Sequence, residues 1–219
     1  MMDANFWRQR WQAGNIPFHE GRVNGYLKIY FERLECGADD PVFVPLCGKA
    51  VDMKWIREQG CRVLGVELSP IASRDFFVDS GIDYAVEEQG GFEKYSGQGI
   101  EVLCGDLFAM TRGGLDNVKA IYDRASYIAF DAAMRKRYVD FMCAMLPRGA
   151  PILLLTLDYP QDLMDGPPFA VGEDEVRKRF EGRYDVAHLE TRDIIDKQPH
   201  FQAKGLPTLL AHAFLLRDR

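Results

Sequence analysis

The sequence predicts an α/β fold built around a doubly wound, mostly parallel β-sheet. Short, largely apolar runs alternate with segments of helical periodicity between residues 41 and 157, which is the pattern of such folds. The runs lack a strict polar alternation, as expected of parallel strands that helices cover on both faces. Two extended runs near the carboxyl terminus have no helical segment between them and predict an antiparallel hairpin that closes the sheet.

Length and composition indicate one large domain over residues 1–219, since 47% of the residues are hydrophobic. No stretch reaches the roughly 18 apolar residues of a membrane span, and the amino terminus lacks a basic segment followed by an apolar one. We therefore expect a cytoplasmic protein that does not bind membranes. Lys and Arg total 27 against 33 Asp and Glu, a net charge of −6, which argues against nucleic acid and favours a small-molecule partner.

Histidine and cysteine spacing predicts neither a metal site nor a disulfide framework. The four histidines form no HExxH pattern, and the five cysteines are dispersed without a CxxC pair. Cys47 follows a strand and precedes a helix, where a thiolate would be stabilised, but no motif places a base beside it. We interpret it as a small apolar residue. No symmetric apolar surface is evident, and a monomer is expected.

The first elements are predicted in chain order from aromatic content and helix signals. Residues 1–35 are too aromatic for a disordered tail and too irregular for a strand, so we expect a helical lid that lies against the domain. Residues 41–46 and 62–68 are predicted strands, separated by a helix that ends at Gly60. Ser69 with the following proline is a helix start, because its hydroxyl can accept a hydrogen bond from a free amide.

The remaining elements complete a sheet of seven predicted strands. Three more buried strands are expected at residues 101–104, 119–123 and 151–157. The terminal hairpin is expected to consist of residues 184–194 and 206–216. Before the fifth strand, helical spacing relates Met134, Tyr138, Phe141, Met142 and Met145.

Doubly wound sheets bind ligands beyond the carboxyl ends of their strands, so we searched these ends for polar residues. Gly48 follows the first strand, where it would let the backbone approach a ligand; an ordinary helix start is the alternative. Glu67 ends the second strand, 19 residues later, and could accept both hydroxyl protons of a ribose. Its alternative role is to cap the helix after Ser69. The missing GxGxxG fingerprint makes a dinucleotide a weaker prediction.

The third and fourth strand ends add further polar groups. Asp106 with Leu107 could bind the amino group and ring of an adenine, although a turn or cap role accounts for Asp106 equally well. Together with Gly48 and Glu67, this pair predicts an adenosine site. Arg124 ends the fourth strand. An ion pair with its neighbour Asp123 is not expected, because adjacent residues of a strand point to opposite faces.

The chain resembles the thiopurine S-methyltransferase family, and its bacterial members more than its animal members. The motifs that carry the resemblance are FWRQRWQAGNIPFHEGRVN, VPLCGKAVDMKWIREQGCRVLGVELS, GDLF, YDRASYIAF and GPPFAV. They span nearly the whole chain. The resemblance implies a class I, Rossmann-like methyltransferase fold with S-adenosylmethionine as cofactor. Cofactor contacts are implied at Trp11, Leu46, Glu67 and Arg124, to which the strand ends add Gly48, Asp106 and Leu107.

The resemblance also implies methyl transfer to sulfur, on thiopurines or on other small thiol, selenium or tellurium nucleophiles. Bacterial members are associated with thiopurines and with selenium or tellurium detoxification. Arg124 would orient the acceptor or stabilise its negative charge through its planar donors. Phe18 and His19 of the lid and Phe169 of the GPPF loop are predicted to contact the acceptor. The alternatives are core packing for Phe18, a turn cap for His19 and an inert surface loop around Phe169.

Two rival functions share much of this pattern. A nucleotide-linked oxidoreductase also has a doubly wound sheet and an acidic second strand, but the absent glycine fingerprint and the terminal hairpin count against it. A non-catalytic protein that binds S-adenosylmethionine is the other, because a cofactor site does not prove turnover.

Overall fold

The computed structural model describes residues 4–219 and contains a nine-stranded sheet in that range. The helices are α1 (Ala4–Gln12), α2 (Gly25–Tyr30), α3 (Asp52–Glu58), α4 (Pro70–Ser80), α5 (Ala132–Met145), α6 (Glu173–Phe180) and α7 (Pro199–Gln202). The strands are β1 (Pro41–Val44), β2 (Arg62–Glu67), β3 (Ala85–Gln89), β4 (Phe92–Gly97), β5 (Ile100–Cys104), β6 (Ala120–Arg124), β7 (Ile152–Asp158), β8 (Tyr184–Asp193) and β9 (Leu210–Asp218).

The strand order is β3-β4-β5-β2-β1-β6-β7-β9-β8. The five central strands, β5 to β7 in that order, are parallel. Strand β9 lies antiparallel between β7 and β8 and forms the predicted terminal hairpin. The predicted fold class is therefore confirmed. The hairpin connection contains the short helix α7, which the sequence analysis did not expect.

The sheet has two strands more than the seven predicted, because β3 and β4 form a further antiparallel hairpin at one edge. Every residue of β3 is exposed, so the strand has no apolar face from which to predict it. The local signal is the turn: Gly90 and Gly91 have φ of 61° and 86°, values that a two-residue hairpin turn requires.

Helices cover both faces of the sheet and enclose two apolar cores. One core joins α3 and α4 to the strands through residues such as Met53, Ile56 and Phe76. The other joins α5 and α6 to the opposite face, with Tyr138 and Phe180 fully buried in it. Burying an apolar side chain of this size contributes about 1.5–3 kcal/mol, so these two layers supply most of the folding free energy.

Helix α4 has the predicted ends. The Ser69 hydroxyl accepts a hydrogen bond from the Ala72 amide at 3.3 Å, and Pro70 occupies the first turn. Gly81 ends the helix at φ 65° in the left-handed region. The end of β2 and the start of α4 are thus fixed relative to each other, which positions Glu67.

A buried arginine fastens the terminal strands to the helix layer. The Arg183 guanidinium donates to both carboxylate oxygens of Asp218, at 3.2 and 3.0 Å. It also donates to the carbonyls of Leu146 and Pro147, at 3.3 and 2.8 Å, and to that of Cys143. Burial raises the pKa of Asp218, but the hydrogen bonds from Arg183, the Gly149 amide and Arg148 together outweigh burial and hold this pKa below its ordinary value. The end of α5 and both hairpin strands therefore depend on one side chain.

Across residues 4–219, the helices fall short of the length and apolar character that crossing a membrane would need. The same residues include the five cysteines, and each is a free thiol.

Candidate functional site

A cavity of about 890 Å³ lies at the carboxyl edge of the parallel strands. Nine of the ten predicted site residues line it: Trp11, Phe18, His19, Leu46, Gly48, Glu67, Asp106, Leu107 and Arg124. A volume of this order suits a nucleoside together with a second small molecule. The structure therefore brings the ends of four separate strands to one site.

Glu67 is held in one orientation by two backbone amides. Its Oε2 accepts from the Gly48 N–H at 2.9 Å, and its Oε1 accepts from the Ser69 N–H at 2.8 Å. Each oxygen keeps one free lone-pair direction, so the carboxylate can still accept two hydroxyl protons. Burial raises the pKa of Glu67 to about 7, although the Ser69 and Gly48 amides favour its ionised form. Glu67 can therefore hold the turn and the start of α4 in place and still bind a ribose.

The turn after β1 approaches the lid closely. Gly48 has φ 52°, and a Cβ built there would lie 3.2 Å from the Trp11 ring. Trp11 is 6% exposed and meets Phe18 edge to face at 5.6 Å. Leu46, with φ 44°, also occupies the left-handed region, which is rare for a leucine. Conformations of this kind cluster at functional sites. The Trp11 ring thus packs directly over this turn.

Arg124 lies between two carboxylates that the sequence analysis missed. Its guanidinium is 3.0 Å from Glu20 and 4.0 Å from Asp52. The buried Asp52 accepts from the Asn24 N–H at 2.8 Å and from the Tyr122 hydroxyl at 3.0 Å. Asp52 therefore ties the lid to β6. The sequence signal was an aspartate on the apolar face of a helix, which indicates a buried polar contact.

Asp123 points to the opposite face of β6, as predicted, and does not pair with Arg124. Its carboxylate accepts from the Tyr138 hydroxyl at 2.6 Å and from the Tyr127 amide at 3.2 Å. Burial raises the pKa of Asp123 to about 6 despite these hydrogen bonds. Asp123 positions α5 rather than a ligand.

Asp106 has the cap role that the sequence analysis gave as its alternative. It accepts from the Phe108 amide at 2.9 Å and begins a 3-10 turn, yet it is exposed and lines the cavity. Leu107, only 2% exposed, contributes an apolar wall. The pair can contact a planar ring at the end of β5.

Phe169 is the one predicted site residue that does not line the cavity. Pro167 and Pro168 from the same loop line it instead. The Phe169 ring packs against Gly166, and the Arg135 guanidinium lies 5.9 Å from the ring centroid. The loop borders the site as predicted, but through its prolines.

The remaining two predictions concern His19 and Cys47. Burial lowers the pKa of His19, and the cationic Lys49 and Arg124 lower it further, so the ring is a neutral group in the cavity wall. Cys47 is 5% exposed, and burial raises the pKa of its thiol, as expected of a small apolar residue.

The far side of the cavity was not anticipated from the sequence. The β8–β9 connection contributes Lys197, His200 and Lys204, and β7 and β9 contribute Thr156 and His212. These residues are distant in sequence from the ends of β1, β2, β5 and β6. Only the antiparallel pairing of β7 with β9 places them beside the other strands.

The fold is that of the class I S-adenosylmethionine-dependent methyltransferases. The chain superposes on magnesium protoporphyrin IX methyltransferase from Synechocystis with bound SAH at a TM-score of 0.65 and 11% identity, covering 100% of both chains. The family model for thiopurine S-methyltransferase (TPMT) matches residues 2–219. The chain belongs to the thiopurine S-methyltransferase family.

Two relatives named thiopurine S-methyltransferase illustrate the similarity. The Pseudomonas putida protein is 40% identical over 98% of this chain and 99% of its own. The Xanthomonas campestris pv. campestris protein is 42% identical over 99% of each chain. The cofactor is therefore S-adenosylmethionine, and the residues present fit it: Glu67 offers two free acceptor positions for a ribose, and Gly48 leaves room that a side chain would fill.

The affinity for S-adenosylmethionine should rise with pH up to about 7. The free protein holds a proton on Glu67 below its pKa of about 7, and accepting two hydroxyl protons needs the carboxylate. Below this pKa, binding must release that proton, so the affinity falls by up to about tenfold for each pH unit. Calorimetry in buffers of different ionisation enthalpy measures both the affinity and the released proton. A flat profile without proton release would contradict this role of Glu67.

Gly48→Ala should weaken cofactor binding about tenfold, because the added Cβ would meet the Trp11 ring and the residue must keep φ 52°. Gly149→Ala is the matched control, since Gly149 has φ 83° with no atom within 4 Å of the added Cβ. Both variants carry the backbone strain, but only the first disturbs the lid. Equal cofactor affinity in the two variants, measured by fluorescence titration, would argue against the Gly48 contact.

Proposed function

We propose that this methyltransferase methylates sulfur on small molecules, with thiopurines, other thiols and related selenium or tellurium nucleophiles as the acceptor class. The single observation that carries the proposal is the division of the cavity. Its β5-β2-β1 side offers the groups suited to adenosine, and its β6-β7-β9 side is a separate wall of apolar and cationic residues. An acceptor on that second side would lie beside the reacting end of the cofactor.

The bound cofactor supplies an activated methyl group, and the residues of this chain supply alignment. Glu67 and Gly48 are proposed to fix the ribose, and Asp106 with Leu107 the adenine. Arg124 would bind a carboxylate, while the neighbouring Glu20 and Asp52 would accept from an ammonium group. An amino-acid moiety carries both groups, so this cluster matches the methionine end of the cofactor.

Closure of the lid is proposed to exclude water. Trp11 and Phe18 lie over the turn at Gly48, and Asp52 holds the Asn24 backbone at the other end of the lid. Water exclusion protects the methyl group from side reactions and strengthens the electrostatic contacts inside the site. The residues of the predicted lid at positions 1–3 lie outside the described range.

The charge of the cavity supports acceptors with anionic character. Nine Lys and Arg residues line it against four Asp and Glu, although the whole chain has a net charge of −6. A cavity of this sign favours an acceptor that is an anion or becomes one on losing a proton. Arg124, proposed above to bind the carboxylate of the cofactor, would orient such an acceptor through its remaining donors.

Product analysis by mass spectrometry tests the proposal. The purified protein is incubated with S-adenosylmethionine and a panel of thiopurines, alkyl and aryl thiols, selenols and tellurium compounds, with oxygen and nitrogen nucleophiles of matched shape. We expect methylated products from the sulfur group and from its heavier analogues. Cofactor binding without any methylated product would favour the non-catalytic alternative, and methylation confined to oxygen or nitrogen would refute the acceptor class.

A further inference from the structure

Four side chains form a hydrogen-bonded path from the protein surface to the cavity wall. Glu173, at the start of α6, is partly exposed, and its Oε2 lies 2.6 Å from His188 Nδ1. The Thr191 hydroxyl lies 2.8 Å from His188 Nε2 and 2.8 Å from His212 Nδ1. His212, on β9, lines the cavity. The path therefore crosses the sheet edge without a break.

A β-bulge makes this path continuous. The pairing of β8 with β9 shifts between His188 and Glu190, so that His188 lies opposite Phe214 while Thr191 lies opposite His212. Residues three apart in a regular strand point to opposite faces. The extra residue places His188 and Thr191 on one face, and bulges next to active sites commonly redirect a side chain in this way.

The inner end of the path carries two polar atoms without partners. His212 Nε2 and Thr156 Oγ1 are buried and have no hydrogen-bond partner among the described residues. The two residues lie directly opposite each other on β9 and β7, both line the cavity, and they are 6% and 2% exposed. Leaving a buried polar group unpaired is costly, so a ligand in the cavity is expected to supply the missing partners.

The chemistry of the path fixes the direction of each hydrogen bond when both imidazoles are neutral. The Glu173 carboxylate can only accept, so the His188 proton is on Nδ1 and its Nε2 is an acceptor. Thr191 then donates to His188 and accepts from His212 Nδ1–H, which also lies 3.4 Å from His188 Nε2 in a longer direct contact. His212 Nε2 consequently presents a lone pair at the cavity wall. This arrangement is that of a base connected to solvent.

We propose that His212 takes the proton of a neutral thiol acceptor and that Thr191 and His188 pass the positive charge on to the surface beside Glu173. The proposal rests on the proposed function, because it requires an acceptor with an S–H bond.

The acceptor sulfur takes the methyl group, the pair of the old bond to carbon stays on the cofactor's sulfur, and the acceptor's S–H proton bonds to His212 Nε2. His212 gives its Nδ1 proton to Thr191, which gives its own to His188 Nε2. His188 then carries the charge between the Glu173 carboxylate and the Glu190 carbonyl, 3.2 Å from Nε2. The proton leaves to water through Glu173.

The surroundings of His212 suit this role. Burial lowers its pKa and His188 lowers it further, outweighing Asp158 on β7 and Glu173 on α6, so the ring is neutral before reaction. Arg124 is level with Leu155, one residue before Thr156, so the His212 side chain lies two strands away and points to the other face of the sheet. Both side chains line the cavity beyond the strand ends, which an acceptor in that cavity can contact from either side. Within residues 4–219, no group of three or more His, Cys, Asp or Glu side chains is placed to hold a metal ion instead.

Two acceptors separate the proton path from a structural role. An alkane thiol is largely protonated at neutral pH, since thiols titrate near pH 8.5, whereas a thiocarboxylate is already ionised. Thr191→Val removes the linking hydroxyl at an exposed strand position and keeps a β-branched side chain. We expect it to lower kcat/KM for the alkane thiol about tenfold or more and to leave the thiocarboxylate unchanged. Thr191→Ser, which keeps the hydroxyl, should have the parent's kcat/KM for the alkane thiol.

His188→Phe breaks the path at a second position. The His188 ring stacks on Phe214 with the ring centroids 4.8 Å apart, and a phenylalanine ring can keep this contact but cannot carry a proton. It should show the same selectivity between the two acceptors. Equal loss with both acceptors in either variant, or no loss with the alkane thiol in His188→Phe, would overturn the proposal.

Nitrogen-15 NMR of the free protein decides the tautomer without any activity. We expect His212 to be protonated on Nδ1 and bare on Nε2 at neutral pH, and Thr191→Val to change both shifts. A protonated Nε2 in the free protein would overturn the proposal. If the unaltered protein methylates neither acceptor, the proposed function fails, and the NMR result still decides whether His212 presents a base.

Discussion

Glu67→Gln is expected to weaken the binding of S-adenosylmethionine at least about 100-fold. The glutamine amide group must face the N–H of either Gly48 or Ser69, a donor against a donor, and only one oxygen remains to accept from a ribose. Losing a hydrogen bond to a charged group costs about 1.5–3 kcal/mol, and the substitution affects two such hydrogen bonds. A loss of about 1.4 kcal/mol already lowers the affinity tenfold. Isothermal calorimetry measures the change directly.

Glu88→Gln serves as the control for this prediction. The substitution removes the same charge, but Glu88 lies on the fully exposed strand β3. The thermal stability of the Glu67 variant should stay close to that of the parent, because the cost of one unpaired backbone amide is offset by the removal of a buried carboxylate that is costly to keep ionised. Unchanged cofactor affinity in a folded Glu67→Gln protein would exclude Glu67 from the ribose site.

Arg183→Met should lower the free energy of unfolding by about 3–5 kcal/mol, because it leaves Asp218 buried without its main partner. In a chain of this size the melting temperature should fall by about 10 °C. The folded-state pKa of Asp218 lies below its ordinary value, so the contribution of Arg183 is complete above that value, near pH 4, and is lost as the pH falls. The difference between parent and variant should therefore shrink in acid.

Arg148→Met is the matched control, since Arg148 contacts the same carboxylate at 3.0 Å but its side chain is 75% exposed. Exposed ion pairs contribute about 0–1 kcal/mol, and a loss of that size is expected. Calorimetric melts of the two variants across pH give the comparison. Similar losses in both would show that burial does not distinguish the two arginines.

The sequence was informative where local patterns decide the structure. The Ser69-Pro70 start and the Gly81 end of α4 depend on neighbouring residues, and they place Glu67 at a strand end without further information. Four strand ends could therefore be predicted to meet, since parallel strands expose their carboxyl ends along one edge. The same local patterns overlooked β3, whose exposed residues carry no apolar periodicity.

The rest of the site depends on contacts between distant segments. The Asp52 contacts with Asn24 and Tyr122 span 28 and 70 residues. Thr191 contacts His212 only because a bulge in β8 changes which face of the sheet its side chains point to. No periodicity in the sequence indicates the position of that bulge. Register of this kind is set by tertiary packing. Phe169 illustrates the same limit, because the predicted loop borders the cavity but presents different side chains to it.

The protonation state of the five thiols determines whether the methyl donor can methylate the protein itself. A sulfonium methyl donor alkylates any accessible thiolate, and Cys47 lines the same cavity. Burial, reinforced by the Glu67 carboxylate, raises the pKa of Cys47 well above its ordinary value, and burial likewise raises the pKa of Cys36 to about 12 and the pKa of Cys61, Cys104 and Cys143. Thiolate is the nucleophilic form, so these side chains stay inert. The protein thus protects its own thiols from methylation by keeping them protonated.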